Sequence, residues 1–112
     1  MRYCLALDLV DDDTLIAEYE QRHRHIWPEV RDHLYRCGII DMQIFRLGTR
    51  LTMVMEVNEQ RFSFAAMADA ERQSPLIRQW EDEMWRYQRS TPWTEENNKW
   101  QPMTPIFRLA EQ

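Results

Sequence analysis

Apolar positions recur in two rhythms along this 112-residue chain, and the rhythm changes at places marked by turn residues. Arg2 to Val10 alternate loosely and carry tyrosine, leucine and valine, which predicts a first strand. Asp11-Asp12-Asp13 ends it, and this acidic trio is N-cap material whose carboxylates favour the positive end of a following helix. Thr14 to about His23 has a helical rhythm, with Leu15, Ile16 and Tyr19 on one face. Pro28 interrupts it: proline removes a mid-helix hydrogen bond and pushes Trp27 toward an extended conformation. It fits better as the first residue of a second helix, Pro28 to about Cys37, with Val30, Leu34 and Cys37 inward. Gly38 follows, where a helix C-cap favours a left-handed residue.

Two alternating runs, Ile39–Leu47 and Leu51–Val57, flank Leu47-Gly48-Thr49-Arg50 and predict a β-hairpin. Glu59 to Glu71 is predicted helical with Phe62, Ala65, Ala66 and Met67 inward. Ser74 as N-cap and Pro75 at the first position open another helix, through Trp80, Met84 and Trp85 to about Gln88. Pro92 to Asn98 is a polar loop. Trp100 to Leu109 reads as a last strand that Pro102 and Pro105 confine to an edge or a bulge.

The order strand, helix pair, strand, strand, helix pair, strand is βαββαβ. It predicts an α+β, ferredoxin-like sandwich: one antiparallel sheet with helices on one face, over a single domain spanning residues 1–112. Such a sheet leaves its other face uncovered. Met42, Ile44, Met53 and Met55 are many large apolar residues for one small core, so a homodimer with two sheets face to face is expected.

Composition narrows the partners. A hydrophobic content of 44% argues against disorder. The net charge of −5, with 13 scattered arginines and the lone Lys99, argues against nucleic acid as a partner. No run approaches the roughly 20 apolar residues of a membrane helix, and the acidic start does not read as a signal peptide. Cys4 and Cys37 are too few for a disulfide scaffold and are expected to be buried and inert in a cytoplasmic protein.

The chemistry concentrates in Tyr19-Glu20-Gln21-Arg22-His23-Arg24-His25-Ile26-Trp27-Pro28-Glu29-Val30. Tyr19 and His23 are four apart, so a helix places them on one face, roughly 5–6 Å between Cβ atoms. With only two glycines the chain has no phosphate-cradling loop, and Ser63, Ser74 and Ser90 lie in no glycine elbow. His25, Glu29 and His33 share a stripe that Pro28 divides. It reads as a solvated helix face, and no metal or other cofactor is expected. What remains is acid–base chemistry on a small polar molecule. Histidine gives and takes protons near neutral pH, and the five tryptophans offer stacking surfaces.

The Tyr19…His23 spacing leading into Ile26-Trp27-Pro28-Glu29-Val30 resembles the opening motif of the rhamnose mutarotase family, which includes L-rhamnose and L-fucose mutarotases. The resemblance runs over nearly the whole chain. It implies a cofactor-free sugar epimerase with a dimeric ferredoxin-like (dimeric α/β-barrel) fold. His23 would be the catalytic proton donor, and Tyr19 and Trp80 would bind a monosaccharide. Gln79 and Met42 stand where the rhamnose branch has a tryptophan and a tyrosine, both expected in the pocket. The segments Met84–Gln88, Pro92-Trp93 and Lys99-Trp100 are similar to the L-fucose branch, so L-fucose is favoured over L-rhamnose. The alternatives are a small monooxygenase-type or haem protein of the same fold, a non-catalytic sugar-binding module, and an interaction domain.

Overall fold

The computed structural model describes residues 1–112. The central strand β1 (Arg2–Leu9) runs antiparallel to β3 (Arg50–Val57), which pairs in turn with β2 (Ile39–Leu47) at the sheet edge. On the other side of β1 lie two short strands, β4 (Gln88–Arg89) and β5 (Gln101–Pro102). The order β2-β3-β1-β4 and the four helices make the ferredoxin-like α+β arrangement. The helices are α1 (Asp13–Arg22), α2 (Pro28–Arg36), α3 (Phe64–Gln73) and α4 (Pro75–Met84).

Local signals set the helix starts. The Asp12 carboxylate accepts from the Leu15 amide at 3.0 Å, the Ser63 hydroxyl from Ala66 at 2.9 Å, and the Ser74 hydroxyl from Ile77 at 3.3 Å. Pro28 and Pro75 each occupy the first turn of their helix, where the missing amide costs nothing. Gly38 (φ +95°) turns the chain from α2 into β2, and Gly48 (φ +58°) takes the first central position of the Leu47–Arg50 hairpin turn.

The sheet's alternation puts Leu5, Leu7 and Leu9 of β1 and Leu51, Met53, Met55 and Val57 of β3 on the helix side, all buried. Tyr19, Val30, Ile77, Trp80, Met84 and Tyr87 complete the core from the helix layer and the turn into β4. Met42 and Ile44 pack against this core as well. The four residues behind the expected dimer therefore face the protein's own helices. The uncovered face instead carries the opposite phase of the strands, including Cys4, Val54 and the exposed Phe45.

Several boundaries differ from expectation. The third helix begins at Phe64, and its inward stripe is Phe64, Met67, Ala68 and Glu71, so Ala65 and Ala66 point outward. The fourth ends at Met84 because Gln88 and Arg89 leave to pair with Leu9 and Asp8 of β1. The last strand shrinks to Gln101–Pro102, since Pro102 and Pro105 supply no amide for a longer ladder. Cys4 is exposed on the outer sheet face and Cys37 is half-buried, so the expected pair of buried thiols is not found. His33 is buried at 5% exposure while His25 and Glu29 are exposed, so the three do not form one solvated stripe.

Candidate active site

The end of α1 builds the centre of the site. His23 is the C-cap, where the last carbonyls of a helix lack intrahelical partners. Its Nδ1 lies 2.8 Å from the Tyr19 carbonyl oxygen, which also accepts the His23 amide at 3.3 Å. A carbonyl only accepts, so Nδ1 carries the hydrogen, and Nε2 of the neutral ring is left with its lone pair free. Burial holds the His23 pKa below the ordinary histidine value, outweighing the help the Tyr19 carbonyl gives the charged form, and Arg22 lowers it further. At neutral pH the ring is therefore a neutral base.

Tyr19 sits one turn earlier on the same face, with ring centroids 4.2 Å from those of His23. Its hydroxyl accepts from Gln88 Nε2 at 3.2 Å, and burial pushes its pKa up to about 12. The phenol stays neutral and keeps its own proton for donation. Gln88 Oε1 is buried without a partner, an acceptor in the same wall.

Trp80 reaches this pair from α4, its ring 5.9 Å from His23 and 5.0 Å from Trp27. The Arg22 guanidinium lies 5.6 Å from the Trp80 ring while pairing with Glu83 at 3.2 Å. The indole is thus clamped between an aromatic edge and a cation.

Tyr19, His23 and Trp80 line one cavity of about 340 Å³ between the helices and the sheet. That volume is in the range of small-molecule sites. Most of its wall is apolar, with Met42, Ile44, Met53 and Met55 on the sheet side. The polar groups are Gln88, Glu71, Glu81, Asn97, Asn98 and Lys99, beside Tyr19 and His23. Lys99 Nζ pairs with Glu81 Oε2 at 2.5 Å and lies 4.8 Å from the Trp85 ring. A wider groove of about 700 Å³ shares Tyr19, His23, Ile26, Leu34, Met42 and Ile44 with the cavity and opens along β2, with Arg24, Arg31, Asp41 and Arg46 at its rim. It is the entrance.

The structure thus brings together all three residues singled out in the sequence. Met42 lines the cavity, whereas Gln79 is exposed on α4 and outside it, which corrects the expectation that both changes fall in the pocket. Six polar residues of the cavity wall escaped the sequence reading: Glu71, Glu81, Gln88, Asn97, Asn98 and Lys99. Two of them had left a signal. Glu71 falls on the i, i+3/i+4, i+7 stripe that starts at Phe64, a carboxylate where apolar residues are the rule. Lys99 is the only lysine among 13 arginines.

Comparison with known proteins places this chain in a family. The L-rhamnose mutarotase family profile matches residues 2–109. The chain is 44% identical to an L-fucose mutarotase of Xanthomonas campestris pv. campestris, over 98% of this chain and 89% of that one. It is 29% identical to an L-rhamnose mutarotase of Paraburkholderia phytofirmans, covering 94% of both chains. Among solved structures, an L-rhamnose mutarotase from Formosa agariphila superposes with a TM-score of 0.70 at 20% identity, over 97% of this chain and 98% of the other, a likeness of fold.

Proposed function

The chain belongs to the L-rhamnose mutarotase family, and we propose that it interconverts the α and β anomers of L-fucose. It is a sugar mutarotase, an isomerase that exchanges anomers. The observation that carries the site assignment is the locked ring of His23. Its Nδ1–H is committed to the Tyr19 carbonyl, in the wall of a sugar-sized cavity that Tyr19 and Trp80 share.

His23 is the catalytic residue. In ring opening its Nε2 takes the proton from the anomeric hydroxyl, and in closure the resulting imidazolium returns it, so the residue is base and donor in turn. Tyr19 donates its hydroxyl proton to a sugar oxygen, and Gln88 Oε1 accepts a sugar hydroxyl. Trp80 presents apolar ring surface to the C–H face of the pyranose. The reaction exchanges two protons and one C–O bond, chemistry that side chains carry without a cofactor. One positioned acid or base is worth about 10²–10⁴-fold.

L-fucose is preferred over L-rhamnose because the relative named for L-fucose shares 44% of its residues with this chain and the L-rhamnose enzyme cited above 29%. Met42 on the cavity wall supports the same choice, since a thioether stands where the rhamnose branch has a phenol. The family match along residues 2–109 supports reading residues 1–112 as one mutarotase domain.

The protein works as a homodimer. Its support is the uncovered sheet face with Phe45 at 55% exposure and the tail residues Ile106 and Phe107 at 93% and 68%. No helix is long and apolar enough to cross a membrane. The free thiols Cys4 and Cys37 suit the reducing cytoplasm, where we place the protein.

The test is proton NMR saturation transfer between α and β signals of L-fucose, L-rhamnose, D-galactose and D-glucose, each with and without protein. Acceleration greatest for L-fucose is expected. Unchanged exchange of all four sugars would overturn the activity, and acceleration greatest for L-rhamnose would overturn the choice of sugar.

A further inference from the structure

We infer that Glu71 is the second catalytic residue, the acid that protonates the ring oxygen while His23 takes the anomeric proton. This deepens the mutarotase reading above and rests on it. A neutral His23 enters each cycle as a base, so opening the ring requires a separate proton for the oxygen that leaves C1. Two carboxyl groups line the inner cavity, Glu71 on α3 and Glu81 on α4. Glu81 is committed to an ion pair with Lys99 at 2.5 Å. Glu20 and Asp41 stand at the entrance, and Glu20 is paired with Arg46 at 2.5 Å.

Glu71 differs from the paired Glu81 and Glu20, and from Asp41, which is exposed on β2. The Glu71 carboxyl has no ion-pair or hydrogen-bond partner and projects from the apolar stripe of α3 beside Phe64, Met67 and Ala68. An unpaired carboxylate in such surroundings is poorly solvated, so the neutral acid is favoured. The charged groups around it act in both directions. Burial and the negative Glu81 raise its pKa, Lys99 and Arg72 pull it down, and the balance stands at about 7. The Cys37 thiol at the end of α2 also feels the Glu71 charge. Glu81 and Lys99 act on His23 as well, which places base and acid under one electrostatic pair. An acid poised near neutrality that shares a cavity with a base kept neutral by burial is the pairing that acid–base catalysis at neutral pH favours.

The steps balance without a co-reactant. His23 Nε2 removes the proton from O1, and the O–H electron pair becomes the second C1–O1 bond. The C1–O5 bond breaks, its pair goes to O5, and O5 takes the Glu71 proton. The open aldehyde turns about C1–C2. On closure O5 attacks the other face of C1, its proton returns to the Glu71 carboxylate, and the imidazolium gives its proton to O1. Both residues end as they began.

The experiment compares wild type, Glu71→Gln and Glu71→Ala by saturation-transfer NMR on L-fucose from pH 5 to 9, with circular dichroism for fold. Glu71→Gln is expected to lose on the order of 10²-fold in kcat, with KM within a few-fold. The wild-type decline in rate above about pH 7 is expected to vanish in the variant. Added formate is expected to restore part of the rate of Glu71→Ala and none of that of His23→Ala. Active wild type with an equally active, folded Glu71→Gln would overturn the role of Glu71 and leave the mutarotase reading intact. A loss confined to KM, with no formate rescue, would overturn it in favour of sugar binding. Wild type inactive on all sugars would remove both.

Discussion

The imidazole of His23 is held by the main chain of Tyr19: Nδ1 donates to the Tyr19 carbonyl at 2.8 Å, and the two rings lie 4.2 Å apart. One helical turn thus fixes the tautomer, the ring orientation and the neighbouring hydroxyl together. Because the acceptor is backbone, no side-chain substitution removes it, and only the end of α1 coming apart would free the ring.

Replacement of His23 by alanine removes the base while leaving the helix end intact. Anomer exchange of L-fucose is expected to fall about 10²–10⁴-fold. The fold should persist, because the loss is the ring's hydrogen bond to the Tyr19 carbonyl, which still accepts the residue-23 amide, and two ring contacts, with Tyr19 and with Trp80 at 5.9 Å. That is worth about 1 kcal/mol, or about 4 °C in Tm. Saturation transfer and a thermal melt measure the two effects separately. Undiminished exchange in a folded variant would remove His23 from the mechanism.

The acid limb of the pH–rate profile follows from the same ring. Burial lowers the His23 pKa, so the neutral, active form persists below the ordinary histidine value of 6.5. The rate should rise as pH increases through a midpoint under 6.5, before the decline that Glu71 imposes above about pH 7. Titration of the His23 Cε1 proton by NMR should give the same midpoint. A midpoint above 6.5 would mean that burial does not govern the ring, and a rate that falls through the histidine midpoint would mean that the imidazolium is the active form.

How much of this was legible depended on the range of the interaction that decides each feature. Asp12, Ser74, Pro28, Gly38 and Gly48 act within a few residues of themselves, so the starts of α1, α2 and α4 and the hairpin could be read directly. Tyr19 and His23 are one turn apart, and their juxtaposition follows from helix geometry alone. Trp80 was readable only through resemblance to relatives, because its approach to His23 depends on packing between α1 and α4. The α3 phase was misread because Ala65 and Ala66 suit either face of a helix, and the choice was made by Phe64, Met67 and Ala68 packing over the sheet. That misreading hid Glu71. The Lys99–Glu81 pair joins a loop to α4 across 18 residues, and nothing local marks it.

Gly38 is a position where an added methyl group meets resistance. Its φ is +95°, and a Cβ there would lie 3.1 Å from both the Arg61 Cβ and the Phe62 amide nitrogen. Gly38→Ala is expected to destabilise by about 1–3 kcal/mol through backbone strain and crowding. Denaturant melts should detect this as a lower midpoint with an unchanged slope. Because Gly38 immediately precedes β2, which carries Met42 and Ile44, a shifted strand would also raise KM.

Tyr19→Phe separates binding from packing. The ring stays, but Gln88 Nε2 loses its acceptor at 3.2 Å, and Gln88 Oε1 already lacks a partner. A buried amide left wholly unpaired costs about 1–2 kcal/mol. The KM for L-fucose should rise several-fold, since one donor to the sugar is gone. The His23 pKa should stay put, because its hydrogen bond goes to the Tyr19 backbone. Movement of the acid limb in Tyr19→Phe would show that the phenol, and not the carbonyl, governs the ring.

Glu71 also leaves a trace in stability. A carboxyl raised to about 7 in the fold, from its ordinary 4.5, binds its proton more tightly folded than unfolded. Its contribution is therefore complete below about pH 4.5 and is lost as pH climbs through 7. At pH 8 the wild type must hold an ionised carboxylate in an apolar wall, and Glu71→Gln does not. Because Glu71 is only partly buried, the full shift overstates the gain, and about 1 kcal/mol is expected after solvent screening. The variant should melt about 4 °C higher than wild type at pH 8. At pH 5 most of that difference should be gone, since the wild-type carboxyl is then protonated. A gain equal at both pH values would point to improved packing rather than relief of charge. A residue that lowers stability at working pH while facing the substrate cavity is what selection for proton transfer, and not for folding, would retain.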